Sequence, residues 1–446
     1  MQHIHCLNYL KVFFLILTIC SQGCRKSNVP FDAQIHIMDN GSGTGTTTWT
    51  SDRKYLLDGF VFVNDGQILT IEPGTIIQAT TGQKENASAL IVARGGKIIA
   101  KGTSDQPIIF TVEGDDLQGS IPLLSRGLWG GVILLGNAPL NVEGNEAHIE
   151  GIPLSEPRGV YGGNIPDDNS GVFQYVSIRH GGTNIGEGNE INGLTLGGVG
   201  HATIIDHVEI ISNDDDGIEF FGGTVNTRNI VVAYCGDDAF DFDFGYQGKG
   251  QFWLAVQDPA VGDKIAEHTG GGNGVPYTLP VIYNATCIGR GTNTNKPVLE
   301  FKDNAAGKYY NSLFVSQDLG IGIEYTPYPL DSYWHLLSRN LEVSANAFFN
   351  VRKNDTLSIF YPIGVQIPTD VYALFQSYFN EKGNLIENTG IGIIGQRPQW
   401  IPLALINTGM AIYNDPWFEP VEFMGAFGDK DWTEGWTLLH EAGTLE

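Results

Sequence analysis

Asp215-Asp216-Gly217-Ile218-Glu219-Phe220 and Asp237-Asp238-Ala239-Phe240-Asp241-Phe242 are two copies of one pattern, offset by 22 residues. In each, two acidic residues and a small one precede an alternation of apolar and acidic side chains. A repeat of that length, with turn residues leading into a short alternating strand, is one rung of a parallel β-solenoid. Neighbouring strands lie about 4.8 Å apart, so equivalent residues of successive coils form ladders. With Leu194, Ile218 and Phe240 pointing inward, period-two geometry turns Thr195, Glu219 and Asp241 outward and stacks them. A column of like charges at that spacing is unfavourable unless something neutralises it.

The same register extends in both directions, to Asn192-Gly193-Leu194-Thr195-Leu196 upstream and Pro297-Val298-Leu299-Glu300-Phe301 downstream. Each rung has a second strand in its own coil: Val176-Ser177-Ile178, Val208-Glu209-Ile210, Ile230-Val231-Val232 and Leu313-Phe314-Val315. Short β-branched segments punctuated by Gly or Pro begin near Lys54, among them Gly59-Phe60-Val61-Phe62-Val63, Ala89-Leu90-Ile91-Val92 and Ile108-Ile109-Phe110-Thr111. The turns Ile71-Glu72-Pro73-Gly74-Thr75 and Gly95 to Thr103, with Trp129-Gly130-Gly131-Val132, resemble the opening coils of pectin-lyase-like, right-handed parallel β-helix proteins of bacterial envelopes. That resemblance implies an all-β, right-handed parallel β-helix (solenoid) over 51–350. It carries no activity with it.

Loops rich in Gly, Pro, Asn and Asp over 112–170 read as insertions, and a second break is expected over 258–280. Residues 351–446 are expected to form a small capping or flanking region with one helix. Asp370 to Phe379 places Val371, Leu374, Phe375, Tyr378 and Phe379 on one face, with Thr369 as cap and Lys382-Gly383 as stop. Caps are expected because an open solenoid end exposes core and strand edges.

At the amino terminus a short start containing Lys11 leads into the apolar run Val12 to Ile19 and then Ser21-Gln22-Gly23-Cys24. This is too short for a stable membrane span. It resembles a bacterial lipoprotein signal peptide with its lipobox, Ser21 standing where Leu is usual. The resemblance implies a leader over 1–23, lipid on Cys24, a flexible tether over 24–50, and a membrane partner. Arg25 and Lys26 follow the cysteine, which favours the outer membrane, facing the periplasm or the surface.

Fifty-eight glycines against only 17% charged residues indicate many turns and few solvated helices. The formal net charge of −25 becomes −26 once Lys11 leaves with the leader, and so acidic a chain repels a phosphate backbone. Nucleic acid is therefore excluded as an expected partner, whereas cations, polysaccharides and envelope proteins are not. Cys235 and Cys287 sit about two coils apart, so a disulfide in an oxidising envelope would need unusually placed coils, and buried thiols are the favoured reading.

Three kinds of chemistry suit the acidic strip. Asp214, Asp215, Asp216, Glu219, Asp237, Asp238, Asp241 and Asp243 supply hard oxygen ligands at short range, which fits Ca²⁺. Asp and Asn also stack at solenoid turns simply to satisfy backbone N–H groups. Finally, Asp214-Asp215-Asp216-Gly217-Ile218 followed by Gly236-Asp237-Asp238-Ala239 resembles the paired motifs of polygalacturonase-type glycoside hydrolases. That likeness implies Asp216, Asp237 and Asp238 as catalytic carboxylates, although Asp214 and Ala239 depart from the motifs. Arg179-His180 and Glu267-His268 are candidate ligand contacts. The sequence thus supports a lipid-anchored glycan-binding or surface-interaction protein. Its alternatives are a polysaccharide hydrolase or lyase and a purely structural or adhesive one.

Overall fold

The structure, a computed structural model, describes residues 34–186, 189–271, 274–328, 330–394 and 397–444. The leader, Cys24 and the first part of the tether lie outside the described residues. Alternating apolar side chains drive the chain into coils whose strands pair only in parallel, forming a ten-stranded sheet and a larger bent sheet. In the ten-stranded sheet the strands run, in order, Phe60–Val63, Ala89–Val92, Val132–Leu135, Leu194–Gly197, Ile218–Phe221, Phe240–Asp243, Ala266–Thr269, Leu299–Lys302, Ile321–Glu324 and Phe360–Ile363. The stacking is that of a parallel β-helix.

The larger sheet bends at a repeated corner. Tyr175, His207, Asn229, Phe252, Asn284, Asn311 and Ala345 all have positive φ there. They fall in one column, because the residues flanking each corner pair in register from coil to coil. A left-handed residue reverses the strand direction within one position, which is why Asn recurs at the corner.

Inside the coils the facing columns interlock into one apolar core. An aromatic ladder runs through it: Phe220 lies 5.0 Å from Phe242, Phe242 4.9 Å from His268, and His268 4.1 Å from Phe301, ring centre to ring centre and all stacked. Offset stacking along a ladder adds roughly 0.5–1.5 kcal/mol per pair beyond area burial. Cys235 and Cys287 are separate buried thiols in this core.

Several boundaries differ from expectation. Residues 34–50 are not simply a tether: Gln34–Met38 pairs with Lys54–Asp58, and Ile35 and Ile37 pack on the core. The alternation in that segment matches the pleat and covers the first coil. The break expected over 258–280 contains a strand, Ala266–Thr269, and the coil path continues past 350 through Ala347–Val351, Phe360–Ile363 and Leu385–Ile386. Three helices are described in place of one: α1 (Ser332–Leu337), α2 (Thr369–Glu381) and α3 (Leu438–Thr444). In α2, Pro368 rather than Thr369 is the N-cap, while Val371, Phe375, Tyr378 and Phe379 are buried as the periodicity requires.

The outer faces of both sheets are partly covered. Residues 400–444 run along the outside of the bent sheet, where Trp400, Met424, Phe427, Trp436 and Leu439 pack on Ile211, Val231, Leu254 and Leu313. On the ten-stranded sheet the insertion after Leu135 buries Leu140, Ile149, Ile152 and Tyr161 against Phe62, Ile91 and Ile133. That cover decides where the exposed part of the sheet begins.

Candidate functional site

One outward column of the ten-stranded sheet reads Phe62, Ile91, Ile133, Thr195, Glu219, Asp241, Glu267, Glu300. Its first three residues are apolar and lie under the insertion; from Thr195 onward it is polar and then acidic. The next outward column carries Gly197, Phe221 and Asp243, with Lys302 beside Thr269 two coils further on. Extending the register back into the turns aligns Asn192, Asp216, Asp238 and Lys264, and beside them Asp215, Asp237, Asp263 and Lys296. The turn column is bonded from coil to coil: the Asp238 N–H donates to Asp216 Oδ1 at 2.8 Å, and the Lys264 N–H donates to Asp238 Oδ1 at 2.5 Å.

These columns converge on one patch. Ligand oxygens of Asp216, Glu219 and Asp241 lie within 4.8 Å of one another, as do those of Asp215, Asp216 and Asp237, and of Asp237, Asp238 and Asp263. Positive charge enters from one end only. Lys264 Nζ lies 2.5 Å from Glu267, 2.9 Å from Asp263 and 3.6 Å from Asp238. Lys296 pairs with Asp263 at 2.8 Å, and Lys302 pairs with Glu267. No described Lys, Arg or His forms an ion pair with Asp215, Asp216, Glu219 or Asp241.

The electrostatics follow from that asymmetry. Burial, reinforced by the neighbouring carboxylates, raises Asp216, Glu219 and Asp241 well above the ordinary carboxylate range. Burial likewise raises Asp238 well above it, although Lys264 opposes the shift. Burial, with the neighbouring Glu150 charge, pushes Asp215 up to about 7; burial, with the Asp243 and Glu190 charges, pushes Glu150 up to about 7; and burial lifts Asp243 to about 6. Although burial opposes it, Asp238 and Asp263 hold the Lys264 ammonium above its usual range, so it is a poor base in this state. Asn192, 1% exposed, donates from Nδ2 to Glu219 Oε2 at 2.5 Å and to Glu150 Oε1 at 3.4 Å. Among the described residues its Oδ1 has no partner, and neither has Asp243 Oδ1. Hard oxygens at this density suit a divalent cation, and half-satisfied buried oxygens are costly without one.

The structure sorts the residues expected from sequence. It gathers Asp215, Asp216, Glu219, Asp237, Asp238 and Asp241, and adds Asp263, Glu150 and Asn192, which come from other coils or from the insertion. Asp214 is exposed and turns toward Gly127 and Gly182, away from the patch. Glu267 belongs to the acidic column, held by Lys264 and Lys302. His268 is corrected from ligand contact to core residue. It is fully buried, with Nδ1 2.9 Å from the Glu300 carbonyl and Nε2 2.8 Å from Tyr309 Oη, and burial lowers its pKa to about 3. The strand phase explains this, since residues 267 and 268 face opposite sides of the sheet. Arg179 and His180 are also buried, on a different wall of the molecule, and line a cavity apart from the acidic patch.

Residues 41–392 match the family model described as "Pectate-lyase like beta helix domain". No curated protein and no solved structure gives a significant match.

Proposed function

The chain belongs to the pectate-lyase-like β-helix family, and from that premise we propose a carbohydrate-directed protein of the bacterial envelope whose acidic patch holds a divalent cation, calcium above all. The observation that carries the cation is the trio Asp216, Glu219 and Asp241, within 4.8 Å and without a described ion-pair partner. A bare patch of this charge repels an acidic glycan. With a cation seated on it, the same patch can share that ion with a sugar carboxylate or hydroxyl, because calcium accepts six to eight oxygens in loose geometry. Lipid on Cys24 would hold the coil at the membrane. The support for that anchor is the run from Lys11 to Gly23 directly before the cysteine.

The hydrolase reading has less support. Asp216 and Asp238 each commit one oxygen to a backbone N–H of the next coil, a structural use that leaves only the other oxygen for proton transfer. Asp216, Asp237 and Asp238 do not fall in one trio: oxygens of Asp216 and Asp237, and of Asp237 and Asp238, come within 4.8 Å, a close approach nearer to the roughly 5–5.5 Å of a retaining glycosidase than to the roughly 6.5–9.5 Å an inverting one needs for its water. A cation-dependent lyase remains the second reading, favoured by Lys264 at the rim of the same patch, where a bound cation would lower its pKa.

The test is binding of a polyuronate and of its neutral methyl ester to the full chain, in calcium and in excess chelator, with product formation followed by ultraviolet absorbance of unsaturated ends. Binding in calcium alone, lost in the double variant Asp216→Asn with Asp241→Asn, is the expected result. Polyuronate binding that ignores chelator and both substitutions would refute it, and unsaturated products would select the lyase.

A further inference from the structure

A second site lies on the far side of the corner that carries Arg179. The segment after Asp115, the corner Arg179-His180 and α3 enclose a cavity of about 490 Å³. Cavities of roughly 300–1,000 Å³ are the size that takes a small molecule. Most of the wall is apolar, from Leu117, Ile121, Pro122, Leu123, Leu438 and Ala442. Its polar members are Asp115, Gln118, Arg179, His180 and Glu441.

Most of these polar groups are already committed. Asp115 accepts from Thr111 Oγ1 at 2.7 Å with one oxygen and from the Leu117 N–H at 2.8 Å with the other. His180 uses Nδ1 on the Ser125 carbonyl at 2.8 Å. Arg179 is different. It is 3% exposed, yet the hydrogen bond it makes is from Nε to Ser177 Oγ at 2.8 Å. Glu209, the acid that senses it electrostatically, is taken up elsewhere. Glu209 accepts from the Ser177 hydroxyl at 2.5 Å and from the backbone N–H groups of Leu438 and Leu439 at 2.9 Å each. Among the described residues no carboxylate lies within ion-pair distance of the Arg179 guanidinium, so its Nη atoms form no ion pair in the wall of an apolar cavity.

We propose that this cavity binds a small organic carboxylate with an apolar body, its carboxylate gripped by the two Nη atoms of Arg179. A guanidinium presents parallel N–H groups that match a carboxylate in fork-to-fork geometry, and burial strengthens that pairing. A single positive group, with Asp115 and Glu441 also on the wall, selects a monoanion over a phosphate dianion. The apolar residues select a hydrocarbon body over a sugar ring. The site is independent of the cation proposed for the acidic patch.

Titration calorimetry of the full chain with octanoate, octanamide and galacturonate tests it, in chelator so that the acidic patch takes no part. Octanoate should bind at least tenfold more tightly than octanamide, and galacturonate should not bind measurably. Arg179→Met should erase the preference for octanoate over octanamide, and Ala442→Trp, which fills the partly exposed rim, should abolish both while leaving Tm unchanged. Equal affinities for octanoate and octanamide, no binding of either, or tighter binding of galacturonate would overturn the proposal. Because the acid-to-amide comparison uses the unsubstituted protein, it decides the matter even if Arg179→Met fails to fold.

Discussion

At the scale of single residues, the acidic patch ties stability to pH and to cations. Asp215 and Glu150, raised to about 7, and Asp243, raised to about 6, hold protons in the folded state that they release in the unfolded chain at the same pH. Their contribution to stability is therefore fully present below their unfolded pKa values near 4 and is lost as pH rises through about 7. In chelator, the melting temperature should fall between pH 4.5 and 7.5 across this window. Calcium should reverse the trend, because a cation that binds only folded, ionised carboxylates stabilises by mass action, by roughly 2.7 kcal/mol at a hundredfold excess over Kd. Thermal melts at both pH values, with and without calcium, check this: a calcium effect no larger at pH 7.5 than at pH 4.5 argues against a site in the patch. His268 carries the opposite prediction. His268→Phe keeps the stack with Phe242 and Phe301 but removes partners from Tyr309 and the Glu300 carbonyl, so it should cost about 1–3 kcal/mol in denaturant melts without altering glycan binding.

Elements decide how the site is framed. The insertion after Leu135 covers Phe62, Ile91 and Ile133 at the start of the outward column, and its Glu150 reaches on to Asn192, which also holds Glu219. On the other sheet the segment 400–444 behaves as a strap. It is pinned by Gln251 to Glu419, by Asn284 to the Phe423 carbonyl, by Arg228 over the Trp417 ring at 4.7 Å, and at its end by Glu209. Glu209 is buried and raised above the usual carboxylate range by that burial, yet three donors converge on it. Glu209→Ala leaves those donors without an acceptor and should destabilise by about 3 kcal/mol. It should also release α3 locally, seen as faster hydrogen exchange and early proteolytic cutting confined to residues after about 400. Loss of protection spread evenly over the coils would show that the strap and the solenoid unfold as one unit.

For the whole molecule, the exposed question is how it is held in place. No helix among the described residues is long and apolar enough to cross a membrane. If the lipid proposed on Cys24 is the anchor, Cys24→Ser should abolish lipid attachment and move the protein out of the membrane fraction while leaving its fold intact. Fractionation with and without the substitution checks this; unchanged membrane partition would mean that the lipid is not the anchor.

The coil was legible in the sequence because its signal is local. A strand with period two and a turn of Asp and Gly recur at one offset, and equivalent positions must then stack, so Glu219 over Asp241 followed from Ile218 and Phe240 alone. Where the repeat length changes, that logic gives out. Ala266–Thr269 was hidden inside a loop-like stretch, and with it the phase that sends His268 inward and Glu267 outward. The remainder depended on contacts distant in sequence, which no local pattern encodes. Tertiary structure alone brought Lys264, Lys296 and Lys302 to one end of the acidic patch and left the other end without a described ion-pair partner. It alone laid α3 on Glu209, more than two hundred residues earlier in the chain. Periodicity fixes which face a side chain takes; only packing of insertions and strap onto those faces decides which side chains meet, which are covered, and which keep an unpaired charge.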